Sequence, residues 1–133
     1  MAEFGGTSMR KNFVVWAYRV LKDGKTVRAV KQRVSPTLNS YLARAVREIA
    51  ERELEGIYHI AGAEAMSRYE MAMKVKEHFG LSGEVVLADK IESWKARRPE
   101  DSSLSVERAR KDLENKPIGF IESIVELVRE VKL

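Results

Sequence analysis

The sequence Gly-Ile-Tyr-His-Ile-Ala-Gly at residues 56–62, followed by Ser-Arg-Tyr-Glu at residues 67–70, decides the fold class. Residues 57–60 form a compact apolar and aromatic run, which predicts a short strand. The serine and glutamate of the second motif have the spacing of a capping box, which predicts the start of a helix. Gly80 predicts the left-handed end of that helix. A strand that passes into a helix is typical of an α/β protein.

The rest of the chain alternates between helical and strand patterns. Helices are predicted from the Asn12 cap to Lys22, from Thr37 or Asn39, after Ser105 and after Pro117. Strands are predicted over residues 26–30 and 84–88, and residues 90–103 are expected to form a loop. We therefore expect an α/β fold: a small mixed layer of about three short strands with four to five helices, too few strands for a Rossmann sheet.

Composition points to one ordinary globular domain of 133 residues. Charged residues make up 33% of the chain and alternate in sign, so the net charge of +4 does not come from a basic tail. The chain has no cysteine, which excludes disulfides and thiolate metal sites. Abundant Lys, Arg and Glu hint at a thermophile.

The amino terminus carries no signal-peptide pattern, and no apolar run is long enough to cross a bilayer. We therefore expect a cytoplasmic protein that does not insert into membranes. Residues 1–10 are interpreted as a leader or a segment added for expression, and residues 11–133 as the domain.

No residue of this chain is predicted to be catalytic, to bind a cofactor or to bind a metal. His59 and His78 lack metal-ligand spacing and are expected to be structural. Tyr18 and Lys22 have the Tyr-x-x-x-Lys spacing of short-chain dehydrogenases, but that spacing is common by chance and no cofactor fold precedes it. The chain contains neither glycine-rich dinucleotide fingerprint.

Basic residues fall into two groups. The first group is expected to be a solvated face, because acidic residues lie between its members, which are Arg28, Lys31, Arg33, Arg44 and Arg47. In the second group Arg97 and Arg98 precede Pro99, with Asp101 nearby. Guanidinium forks match phosphate geometry, so this loop is a candidate site for a diphosphate. A salt bridge at a helix end explains the spacing equally well.

Five segments, in this order, carry a family resemblance. They are Lys11-Asn12-Phe13-Val14, Lys31-Gln32-Arg33-Val34-Ser35-Pro36-Thr37, the motifs at 56–62 and 67–72, and Ala96-Arg97-Arg98-Pro99 followed by Ser102-Ser103-Leu104. Together with Leu42-Ala43 they resemble landmarks of the RmlD-type dTDP-4-dehydrorhamnose reductases, which are extended short-chain dehydrogenases. The resemblance covers residues 11–129, almost the whole chain.

The resemblance implies the carboxy-terminal, substrate-binding part of an enzyme that reduces the C4 ketone of dTDP-4-dehydro-L-rhamnose to dTDP-L-rhamnose. It implies NADPH or NADH for the intact parent, with the cofactor-binding half and the catalytic Tyr and Lys absent here, so the isolated chain is expected to be inactive. Expected partners are a dTDP-sugar, the cofactor-binding half and a second copy of the chain. The implied substrate-binding residues are Asn12, Arg97 and Arg98 on the nucleotide side, with Pro36 and Thr37 on the cleft wall.

Three positions depart from the family pattern: Lys31 stands in place of Asp, Val34 in place of Gly and Arg68 in place of Trp. They concern the substrate sugar and the dimer surface more than the fold. One alternative from another class is a non-catalytic regulatory subunit of the same fold, such as the β subunit of methionine adenosyltransferase. A basic nucleic-acid-binding domain is a further alternative, less favoured because acidic residues dilute the positive charge.

Overall fold

A computed structural model describes residues 12–88 and 96–132 of the chain. Its elements, in chain order, are α1 Phe13–Lys22, β1 Thr26–Val30, β2 Arg33–Val34, α2 Asn39–Glu51, β3 Met66–Ser67, α3 Arg68–Phe79, β4 Glu84–Ala88, α4 Glu107–Asp112 and α5 Phe120–Val131. The expected α/β class, with a small strand layer and five helices, is confirmed. No helix within the described ranges is long and apolar enough to span a membrane.

The described residues divide into two compact units. Unit 1 contains residues 12–32, 67–88 and 96–100, and unit 2 contains residues 33–66 and 101–132.

Unit 1 is built on a two-stranded parallel sheet. β1 pairs with β4 from Thr26 opposite Glu84 to Val30 opposite Ala88. α1 and α3 pack with this sheet around a shared core, which consists of Ala17, Leu21, Val27, Ala29 and Ala72. Since parallel strands cannot be joined by a tight turn, the chain must make a long crossover between β1 and β4, and it does so through more than fifty residues.

Local capping residues fix both helices of unit 1. Asn12 Oδ1 accepts a hydrogen bond from the Val15 N–H at 3.2 Å and so begins α1. At α3 the predicted capping box is present: Ser67 Oγ accepts from the Glu70 N–H at 3.1 Å, and Glu70 Oε1 accepts from the Ser67 N–H at 3.2 Å. Gly80, at φ +61°, ends α3 in the left-handed region that glycine adopts most readily.

Unit 2 packs α2 and α4 around a second core, which consists of Leu38, Tyr41, Ala45, Ala109 and Leu113. Leu127 of α5 packs against the same core. β2 pairs with β3, and Arg33 also forms a parallel bridge with Asp101. These pairings were not expected, since two-residue strands leave no readable alternation in the sequence.

The strand predicted over residues 57–60 is wrong: this segment belongs to no strand of the structure. The Arg108 guanidinium supplies hydrogen-bond donors to this segment, as a neighbouring strand would in a sheet. It donates 2.9 Å hydrogen bonds to the carbonyl oxygens of Glu55 and Ile57, and it lies 4.2 Å from the centroid of the Tyr58 ring. Side-chain donors therefore satisfy carbonyl groups that a sheet would have satisfied.

The helices lie where the sequence places them, but the residues that they bury differ from those that helical spacing predicts, which include Trp16 in α1 and Leu42 and Val46 in α2. In α1 the predicted Trp16 is 36% exposed, whereas Val15 and Ala17 are fully buried. In α2 the predicted Leu42 and Val46 are exposed, and the residues that α2 buries are Tyr41, Ala45 and Glu48. Apolar spacing alone therefore identifies a helix better than it identifies the buried face.

Candidate functional site

Unit 1 contains a cavity of about 270 Å³. Its described lining residues come from four places: α1, β1, the start of α3 and the loop over residues 96–100. They are Phe13, Trp16, Arg28, Ala29, Val30, Arg68 and Arg98. The cavity thus combines three guanidinium groups, two aromatic rings and a small apolar strand surface.

Arg68 is the most enclosed cation of the cavity. Its guanidinium carbon lies 5.1 Å from the centroid of the Phe13 ring, within the range of a cation–π contact. Burial lowers the pKa of Arg68, and the positive charge of Arg98 lowers it further. The two guanidiniums are therefore close enough to repel each other, and an anion bound beside both would relieve that repulsion.

Two helices begin at the cavity. Phe13 is the first residue of α1 and Arg68 is the first residue of α3. The amino-terminal end of a helix carries a partial positive charge, which favours a nearby anion. The start of α1 has no acidic residue in its first turn and thus adds to the positive potential of the three arginines, whereas the Glu70 carboxylate offsets this effect at the start of α3.

The described lining residues of the cavity are suited to binding an anion that carries an apolar group. Among its described lining residues, none is acidic and none is a histidine, cysteine or lysine. Arginine stays protonated at any ordinary pH, so these side chains offer fixed charge and hydrogen-bond donors. Phe13 and Trp16, with ring centroids 5.8 Å apart, offer apolar faces to a ring or a hydrocarbon group.

The predicted nucleotide-side residues lie in or next to this cavity. Arg98 lines it, while Arg97 precedes Arg98 in an exposed loop and is not among the lining residues. Asn12 directly precedes the lining residue Phe13, and its side chain accepts the hydrogen bond from Val15 N–H. Asn12 therefore places the start of α1 at the cavity.

The predicted cleft-wall residues Pro36 and Thr37 belong to unit 2. Thr37 Oγ1 donates to the Ser35 carbonyl oxygen at 2.9 Å and accepts from the Gly62 N–H at 3.3 Å. A Cβ on Gly62 would lie only 2.1 Å from the Pro36 carbonyl oxygen, so a side chain at residue 62 would force the two segments apart. The observed contacts thus give the Pro36–Thr37 turn a role in holding unit 2 together.

Asp101 forms hydrogen bonds within its own turn. Its Oδ1 accepts hydrogen bonds from the Ser103 N–H at 3.0 Å and the Ser103 hydroxyl at 2.6 Å. These bonds, helped by the nearby charge of Arg33, lower the pKa of Asp101. The carboxylate thus shapes the turn over residues 101–103 of unit 2.

Tyr18 and Lys22 have a packing role in α1. The Tyr18 ring meets the Phe79 ring edge to face at 5.2 Å, and Lys22 Nζ lies 5.9 Å from the Tyr18 ring centroid. His59 and His78 are exposed, and within residues 12–88 and 96–132 no group of three His, Cys, Asp or Glu side chains could hold a metal ion.

Sequence reasoning missed six of the seven described lining residues of the cavity. Arg28 was assigned to a solvated face, although the alternation of the strand over residues 26–30 places it on the face opposite Val27 and Ala29. Arg68 was noted only as a departure from the family pattern. Helical spacing places Phe13 and Trp16 in the apolar set of α1 and gives no sign that they line a cavity. Nothing local brings them together, since the parallel β1–β4 pairing and the packing of α1 and α3 do so.

The dinucleotide that the resemblance implies does not fit the described residues. Where β3 leads directly into α3, Ser67 and Glu70 fill the helix start with a capping box. The capping box already occupies the N–H groups of Ser67 and Glu70, and the junction lacks the glycines that let a backbone approach a pyrophosphate. We derive no cofactor chemistry from these residues.

Two comparisons with known proteins, one with family models and one with solved structures, give matches to the same group of proteins. A family model described as the RmlD substrate binding domain matches residues 4–133. A structure of a hypothetical dTDP-4-dehydrorhamnose reductase from Sulfolobus tokodaii is 44% identical, with a TM-score of 0.75 over 82% of this chain and 40% of that one. No curated protein sequence matches this chain.

Two more distant structures support the fold alone. A dTDP-4-dehydrorhamnose reductase from Bacillus anthracis, in complex with NADP, is 24% identical, with a TM-score of 0.77 over 90% of this chain and 43% of that one. One from Clostridium acetobutylicum is 22% identical, with a TM-score of 0.79 over 92% of this chain and 44% of that one. The chain therefore spans less than half the length of these relatives. Because the family model covers almost every residue, this chain belongs to the RmlD substrate binding domain family.

Proposed function

We propose that this chain is the sugar-nucleotide-binding part of an NADPH- or NADH-dependent dTDP-4-dehydrorhamnose reductase, and that its unit 1 cavity binds the diphosphate of a dTDP-sugar. The observation that carries this proposal is the cavity itself, where Arg98 lies with two further arginines beside two aromatic rings. Family membership and the 44% identical Sulfolobus tokodaii structure support the choice of nucleotide.

The parent reaction, on this proposal, reduces the C4 ketone of dTDP-4-dehydro-L-rhamnose to the alcohol of dTDP-L-rhamnose. The Bacillus anthracis relative binds NADP, which supports a nicotinamide cofactor for the parent. The cofactor-binding half and the proton-donating Tyr would be supplied by the part of the relatives that this chain does not cover. A cytoplasmic, thermophilic origin and a homo-oligomeric assembly stay predictions.

Within the proposed site each residue has a separate task. Arg98 would bind a phosphate through a charge-assisted, forked hydrogen bond. Asn12 would act through the start of α1, and Arg97 would add positive charge from the exposed loop. The assignment of Pro36 and Thr37 to a cleft wall stays a prediction, and the turn that they form packs closely against Gly62 within unit 2.

Calorimetric titration of dTDP into wild-type chain and the Arg98→Ala variant tests the proposal. A hydrogen bond to a charged group contributes about 1.5–3 kcal/mol, so the variant should bind dTDP roughly 10- to 100-fold more weakly. Arg98→Lys should recover only part of the affinity, because an ammonium cannot form the paired fork.

Arg44→Ala is the control, since Arg44 lies in unit 2 and forms an exposed ion pair with Glu126 at 3.3 Å. It should change dTDP affinity little at the same salt concentration. Equal losses from Arg44→Ala and Arg98→Ala would mean that only general positive charge matters, and the proposed site would be wrong.

A further inference from the structure

We propose that Arg68 is a second anion-binding residue of the unit 1 cavity, and that Arg68 and Arg98 together select a ligand with two linked phosphates over a ligand with one. This inference rests on the proposed function, because it assumes that a nucleotide occupies the cavity. It assigns a binding task to the position where the resembled family carries Trp.

The first argument is the placement of Arg68. As the first residue of α3 it follows Ser67, whose capping-box bonds fix the backbone at that point. Its guanidinium lies over the Phe13 ring at 5.1 Å. A guanidinium held at both its backbone and its head group loses little conformational freedom when it binds, so more of the interaction contributes to affinity.

The second argument is the arrangement of charge. Arg68 is half-buried and Arg98 is exposed, and both line the same cavity. Burial lowers the pKa of Arg68, and the nearby positive charge of Arg98 lowers it further. A ligand that offers one phosphate to each guanidinium offsets the repulsion between both charges, whereas a single phosphate can form a forked pair with only one guanidinium at a time.

The third argument is the character of the remaining walls. Phe13, Trp16, Ala29 and Val30 are apolar, and Arg28 adds a third cation on the exposed side of β1. An inorganic anion would leave these apolar walls unused. A diphosphate joined to a ring or hydrocarbon group would use both the arginines and the walls.

The experiment compares dTDP-glucose with dTMP, two thymidine nucleotides of similar charge that carry two phosphates and one. A phosphate monoester carries about −1.5 to −2 near neutral pH, close to the two charges of the diphosphate, so net charge alone does not separate the ligands. Dissociation constants are measured by calorimetry at one salt concentration for wild type, Arg68→Gln, Arg98→Gln and Arg19→Gln. Arg19 is the matched control, because it is exposed on α1 of the same unit and does not line the cavity.

Wild type and Arg19→Gln are expected to bind dTDP-glucose at least about tenfold more tightly than dTMP. The reason is that the second phosphate accepts an additional charge-assisted hydrogen bond. Arg68→Gln and Arg98→Gln should each weaken dTDP-glucose binding about tenfold and dTMP binding less, so the preference is lost. Arg68→Lys keeps the charge and should retain an intermediate preference. Should Arg68→Gln unfold, Arg68→Met retains the apolar stem over Phe13 and must show the same loss.

The outcomes separate this inference from the proposed function. If Arg98→Gln loses the preference while Arg68→Gln binds both ligands as wild type does, the role of Arg68 is overturned and the proposed function stands. Equal weakening of both ligands by Arg68→Gln also overturns the selective role. If wild type binds neither ligand, both the inference and the proposed function fail.

Discussion

Glu48 is a charged residue buried in α2, and it joins α2 to the segment that follows α4. Its carboxylate accepts hydrogen bonds from the backbone N–H groups of Glu114 at 2.8 Å and Asn115 at 2.9 Å, and also from the Asn115 and Arg52 side chains. Burial alone would raise the pKa of Glu48, but these hydrogen bonds outweigh burial and lower the pKa to about 2. The carboxylate is therefore a structural element of unit 2 in its charged form.

The depressed pKa of Glu48 predicts an acid-dependent stability. The ordinary pKa of 4.5 applies in the unfolded chain, so the stabilisation is fully present above that value and is lost as pH falls from 4.5 towards 2. Glu48→Gln should have a lower free energy of unfolding than wild type at pH 7. The difference between the two proteins should shrink as pH falls through this window. Urea unfolding at several pH values measures it.

The control for this prediction is Glu51→Gln, because Glu51 is exposed in the same helix and pairs with Arg47 at 2.8 Å. It should change stability much less, as exposed ion pairs contribute little. A gap between wild type and Glu48→Gln that stays constant from pH 7 to pH 2 would contradict the structural role.

At the unit 1 cavity, the sequence predicted one arginine as a binding residue but not the residues that lie beside it. Arg98 was predicted because it lies beside Arg97 and Pro99 in one short loop. Arg68 lies thirty residues earlier, and Arg28 forty residues before that. Only the parallel pairing of β1 with β4 and the packing of α1 and α3 bring them to one cavity. Such long-range contacts leave no local signal.

At the scale of elements, prediction succeeded where the stop and start signals are local. The start of α1 follows from the Asn12 cap, and both bounds of α3 follow from Ser67, Glu70 and Gly80. The predicted strands over 26–30 and 84–88 are confirmed as β1 and β4. Each of these signals acts within four residues of the element that it bounds.

Prediction failed where distant residues decide the outcome. Residues 57–60 have a strand-like composition, but Arg108, about fifty residues later, binds the carbonyl groups of Glu55 and Ile57. In α2 the apolar Val46 is 52% exposed while Glu48 is buried, because residues 114 and 115 supply its hydrogen bonds. The spacing of apolar residues gives no information about these distant hydrogen-bond partners, Arg108 and residues 114 and 115.

The capping box of α3 gives a prediction at this scale. Ser67→Ala removes the oxygen that accepts from the Glu70 N–H and should lower the free energy of unfolding by about 1 kcal/mol. Urea unfolding would measure the loss, with the dependence of the unfolding free energy on urea concentration expected to stay the same. Ser105→Ala, at an exposed serine before α4, is the matched control and should have little effect. Equal losses in the two variants would show that the Ser67 cap does not stabilise α3.

At the scale of the whole molecule, the chain covers 40–44% of the length of its structural relatives. We expect this chain alone neither to bind NADPH nor to reduce a sugar nucleotide, because its sequence lacks a glycine-rich phosphate loop. NADPH fluorescence titration should show no saturation, while dTDP binding in the same sample shows that the site is intact. A saturable dissociation constant in the micromolar range would contradict this expectation.

The central claim is that the unit 1 cavity binds the diphosphate of a dTDP-sugar, and a crystal structure of the chain with dTDP-glucose tests it most directly. The account predicts phosphate oxygens within about 3 Å of both the Arg68 and Arg98 guanidiniums, beside Phe13 and Trp16. A well-ordered nucleotide that contacts only unit 2, for example at the Pro36–Thr37 turn, would contradict it.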